Sequence, residues 1–128
     1  MPLFEPGGAD PAQPMVDWIN SAPPADLAVE LFAVFGPEAA NPRPWLAASE
    51  FTDWMFRGYP ARTGWVVPAR PVEEPILEAI QLLEHSELVY LRMISLEFCR
   101  WSPTRLGRTL LVDGKVAVRQ RIKERTGL

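Results

Sequence analysis

Apolar residues recur at helical spacing over three stretches of the chain and alternate over a fourth. In "SAPPADLAVELFAVFG", Leu27, Leu31, Val34 and Phe35 fall on one helical face. Ser21 or the Pro23-Pro24 pair starts this helix, Asp26 sits in its favourable first turn, and Gly36-Pro37 ends it. "LAASEFTDWMFRG" predicts a second helix, with Ser49 as cap, an apolar stripe of Phe51, Trp54 and Met55, and Gly58 as terminator. "VEEPILEAIQLLEHSEL" predicts a third. Pro75 is expected in its first turn, because a proline deeper inside costs about 3 kcal/mol. Ile76, Leu77, Ile80, Leu83 and Leu82 are assigned to the core, leaving Glu73, Glu74, Glu78, Gln81, Glu84 and His85 outside.

"LVYLRMISLEFCRW" is rich in strand formers and alternates on either side of Ile94-Ser95, which predicts a hairpin; one continuous helix is the competitor. After Pro103 two patterns fit. Asp113-Gly114 is a hairpin signal flanked by Val116, Val118 and Ile122. The same stretch also reads as one helix over 104–112 and another over 115–125, closed by Gly127. Two helices are favoured, with 109–122 the span in question. The N-terminal residues 1–14 are rich in Pro, Gly and Ala and predict a flexible tail, with a short helical turn at Pro14–Ile19 docking Trp18 and Ile19. Residues 15–128 then form one mainly α domain with a small β-hairpin.

Composition changes this picture in one respect. At 128 residues, 48% hydrophobic and 23% charged, the chain is ordinary for a globular domain. The net charge of −3 hides an asymmetry. Residues 1–87 hold four arginines against thirteen acids, and residues 88–128 hold nine cations against three acids. Such polarity marks a basic binding surface, or two halves that attract each other within one fold.

Candidate chemistry is sparse. No apolar run is long enough to span a membrane, and the N-terminus lacks the pattern of a secretory signal, so cytoplasmic residence is expected. Cys99 is the single cysteine and is expected to be buried and inert. His85 has no partner motif for catalysis and is expected to be solvated. Glu84, His85 and Glu87 do not share ligand spacing, and no phosphate loop or nucleophile elbow occurs, so no catalytic residue, metal or cofactor is assigned.

The phrases "LLEHSELVYLR" and "CRWSPTRLGRTLL" resemble the second half of winged-helix domains of the MarR or PadR kind. In those families a helix leads into two wing strands, and a capped helix follows. The resemblance covers Pro75–Leu111 and implies a winged-helix-like fold in which Thr104 caps the last helix and Gly107 packs closely. It also implies DNA association and a role in transcription regulation. The third helix, which enters the major groove in such proteins, here presents Glu73, Glu74, Glu78, Glu84 and Glu87 with no cation. Only Arg92 and Arg100 serve the wing.

The leading expectation is therefore a non-enzymatic protein that meets duplex DNA through Arg105, Arg108, Lys115, Arg119, Arg121, Lys123 and Arg125. The alternative is a protein-interaction module using the acidic third helix, at Glu73, Glu74 and Glu78, with the aromatic-basic loop of Arg57, Tyr59, Arg62, Trp65 and Arg70 as a second patch. A dimer is compatible with either.

Overall fold

The computed structural model describes residues 11–59, 70–95 and 98–128. Among them the chain forms six α-helices and one antiparallel hairpin: α1 Gln13–Ser21, α2 Pro24–Phe32, α3 Ala48–Met55, α4 Arg70–His85, β1 Val89–Ser95, β2 Phe98–Pro103, α5 Arg105–Asp113 and α6 Lys115–Thr126. A mainly α fold with a small hairpin is what the apolar spacing predicts. The continuous-helix alternative for "LVYLRMISLEFCRW" and the hairpin alternative at Asp113-Gly114 are both overturned.

The N-terminal boundary needs correction. Helix α1 already begins at Gln13, with Pro14 in its first turn, where a missing N–H costs nothing. Ile19 is buried, whereas Trp18 stays 37% exposed instead of docking on the core. Residues 1–10 of the tail assigned to 1–14 lie outside the described residues.

Helix α2 is the most enclosed element: Ala25, Leu27, Ala28, Val29, Leu31 and Phe32 are all buried. It continues as a tight 3-10 turn, Ala33–Phe35, and stops at Gly36. In α3 the N-cap is Ala47, not Ser49, which lies one step inside the helix. Ala47 has no side-chain acceptor for the first helical N–H groups, but Glu50 at the third helical position reaches back to accept the Ala47 N–H at 3.0 Å. Trp54 donates from Nε1 to the Glu30 carbonyl at 2.9 Å, tying α3 to α2.

Helix α4 crosses the middle of the molecule, against α1, α2, α3 and α6. It starts earlier than expected, so Pro75 lies inside the helix, past the first turn. The helix forgoes one backbone bond there. Val72, Ile76, Ala79, Ile80, Leu82 and Leu83 are buried. Leu77 is 40% exposed, which corrects its assignment to the core.

The hairpin pairs Leu91 with Trp101 and Arg92 with Arg100. Leu46 forms an isolated bridge to the other side of Trp101, through N–H···O bonds of 2.9 and 2.8 Å. Trp101 meets Phe51, Phe51 meets Phe35, and Phe35 meets Phe32, all edge-to-face at 5.7–6.5 Å between ring centres. This aromatic chain fastens β2 to α3 and α2.

The seam between β2 and α5 follows from two local features. Thr104 caps α5, accepting the Gly107 N–H at 2.9 Å. Gly107 lies so close to the start of β1 that an added Cβ would sit 2.3 Å from the Leu88 carbonyl oxygen and 2.8 Å from Phe32. Helix α6 then buries Val118 and Ile122. The α5–α6 break needs Gly114, whose φ of 109° is unfavourable for other residues, and Gly127 ends α6 in the left-handed region.

Candidate functional site

The cationic C-terminal segment is largely engaged with the acidic half of the same chain. Lys115 Nζ binds both Glu30 carboxylate oxygens, at 2.9 and 3.1 Å. Arg119 Nε donates to Asp26 at 3.0 Å, and its Nη2 donates to the Leu128 carbonyl at 2.8 Å. Arg121 and Arg125 both reach Glu87, at 2.9 and 3.1 Å. Every acid in these pairs lies within residues 1–87 and every cation beyond them, so part of the charge asymmetry closes within the fold. Arg105, Arg108 and Lys123 are exposed and form no ion pair among the described residues.

The outer face of α4 behaves in the opposite way. Glu73, Leu77, Gln81 and Glu84 recur at three- and four-residue steps, with Glu74 and Glu78 beside them. They border a shallow groove of about 680 Å³, with Ile80 and Trp101 also contributing. Trp101 Nε1 donates to Glu84 Oε1 at 2.8 Å, which anchors one carboxylate of the groove on the hairpin. Glu73, Glu74 and Glu78 are exposed and take part in no ion pair among the described residues. Like charges at this spacing repel, and an incoming cation relieves that repulsion.

The aromatic-basic loop is assembled only in part. The Arg57 guanidinium lies 3.6 Å from the Trp54 ring centre and donates to the Trp54 carbonyl at 2.9 Å. Tyr59 is half-buried beside Phe56. Arg62 and Trp65 lie outside the described residues, as does the side chain of Arg70.

His85 is exposed at the end of α4. Cys99 is exposed, which corrects the expectation of a buried thiol. It lies on the same sheet face as Trp101 but nearer the hairpin tip, where burial ends. Among the described residues no cluster of three or more His, Cys, Asp or Glu side chains is placed to hold a metal ion. No described helix is long and apolar enough to cross a membrane.

Leu77, Gln81 and Trp101 are groove residues that the sequence did not mark as a binding surface. Glu84 was legible as one of the outward acids of the third helix; its contact with Trp101 joins residues 17 positions apart. Comparison with protein-family models, with curated proteins and with solved structures finds no match for this chain.

Proposed function

We propose that the chain is a non-enzymatic, cytoplasmic binding module of winged-helix-like architecture whose working surface is the acidic face of α4, which receives a basic protein segment. The observation that supports this reading is the contrast in pairing. Glu73, Glu74 and Glu78 surround the exposed Leu77 without an internal counter-ion among the described residues, whereas Lys115, Arg119, Arg121 and Arg125 are bound within the fold. An exposed apolar residue ringed by unpaired charge suits a partner bearing both a cation and an apolar anchor.

Isothermal titration with a lysine-rich peptide at low salt tests this reading. Binding is expected to be lost in the double variant Glu74→Lys, Glu78→Lys and kept in Arg121→Ala. Absence of binding at low salt, or equal affinity for the double variant, overturns it.

DNA association is the second reading, and it is favoured by Arg105, Arg108 and Lys123 standing exposed and unpaired among the described residues. Against it stand the acidic α4 and the separation of α3 from α4 by residues 56–69, far longer than the short turn of a helix-turn-helix. It predicts duplex binding that falls steeply with salt and is lost when these three cations become Ala.

A further inference from the structure

The hairpin offers a second kind of surface beside the α4 groove. Among the described residues β1 pairs only with β2, so its outer edge has backbone N–H and C=O groups without partners. Tyr90, Leu91 and Arg92 are consecutive and all exposed, with the Arg92 guanidinium 5.8 Å from the Trp45 ring centre. The described part of the edge has no proline, lysine or acid to block pairing; its only charge is Arg92. Leu91 lies directly across from Trp101, hence on the same face of the sheet, and Trp101 lines the groove with Leu77. Leu91 is therefore the cross-strand neighbour of a groove residue, although no described β1 residue itself lines the groove.

We propose that the basic partner binds as an added β-strand, pairing its backbone with the outer edge of β1 and laying one row of side chains toward α4. This inference rests on the proposed function and specifies the partner's conformation and pattern. The row facing the groove has an apolar residue against Leu91, 43% exposed, flanked by Lys or Arg facing Glu73, Glu74 and Glu78. The opposite row lies beside Arg92 and is uncharged, because like charges on neighbouring strands repel. Backbone bonds supply the affinity, and alternation of the side chains supplies the specificity.

The probe is a short synthetic peptide in which threonine alternates with lysine, leucine and lysine, compared with the same peptide carrying N-methyl groups on the backbone amides of one edge. The N-methylated peptide keeps every charge and side chain but cannot pair with a strand. Titration is expected to show it binding about tenfold more weakly, the loss of one or two backbone bonds. Leu91→Lys is expected to weaken the unmodified peptide comparably, without loss of fold because the site is exposed. Amide exchange of Tyr90, Leu91 and Arg92 is expected to slow when the unmodified peptide is bound. Equal affinity of the two peptides, with unchanged exchange, overturns strand addition while leaving the acidic surface intact. No binding of either peptide overturns both readings.

Discussion

Arg121 holds Glu87 in a two-point grip on the end of α4: Nη2 donates to the Glu87 carboxylate at 2.9 Å, while Nε donates to the preceding Ser86 carbonyl at 3.0 Å. Glu87 has a φ of 61°, the left-handed conformation that commonly ends a helix and that glycine adopts without cost. The turn thus combines a locally unfavourable residue with a cation supplied by α6.

Separating these two effects gives the first prediction. Glu87→Ala keeps the backbone cost and loses the contacts with Arg121 and Arg125. Glu87→Gly loses the same contacts and removes the cost. Glycine is expected to be more stable than alanine by about 1 kcal/mol in urea unfolding. The ion pairs add little, because Glu87 is largely exposed. Equal stability of the two variants would count against a strained turn.

Gly107 has no room for a side chain. Gly107→Ala forces the Leu88 backbone and Phe32 apart and is expected to cost about 2–3 kcal/mol. Gly58 is the control, because a Cβ added there would meet nothing within 4 Å. Gly58→Ala is expected to stay within about 0.5 kcal/mol of the parent. Thermal unfolding of both variants checks the difference.

Thr104 has a double role. It caps α5 through the Gly107 N–H, and its hydroxyl donates to the Glu87 carbonyl at 2.6 Å. Thr104→Ala is expected to lose about 1–2 kcal/mol, and Thr104→Ser, which keeps the oxygen, to retain most of it. A serine variant as unstable as the alanine one would show that the methyl group, not the oxygen, matters.

Two neighbours on α4 are expected to respond in opposite ways. Ile76 is buried, and Ile76→Ala is expected to cost about 2–4 kcal/mol. Leu77→Ser is expected to change stability by less than about 1 kcal/mol while weakening the basic peptide. Chemical denaturation and titration of the same two proteins read both effects.

Cys99 is expected to react with a thiol reagent in the native protein at a rate close to that in denaturant, because it is exposed. Protection that disappears only on unfolding would contradict its placement.

The local grammar of the fold was legible in the residues. Pro24 and Gly36 bound a helix and its 3-10 extension, Thr104 is a cap, Gly107 is a close-packing position, and Gly114 separates two helices. The helix limits at Pro24, Gly36 and Gly114 act between residues a few positions apart and so show in spacing. Thr104 and Gly107 were instead expected from the winged-helix resemblance, and Gly107 packs on Leu88 and Phe32, distant in sequence. What lay outside that reach was decided by contacts between distant segments. Leu77 fits the apolar stripe of α4, yet no described element covers it. Ser49 has the chemistry of a cap, yet Ala47 is the N-cap and Ser49 lies inside the helix, where Glu50 holds the Ala47 N–H. The basic C-terminal residues read as a phosphate-binding surface until α6 packs on α2 and the α4–β1 turn, where Glu30, Asp26 and Glu87 meet four of them. Composition determined that the chain has an acidic half and a basic half. Only the tertiary packing, which sets the distance over which those charges act, decided that four of the C-terminal cations pair with acids of the first half and that Glu73, Glu74 and Glu78 of α4 face outward.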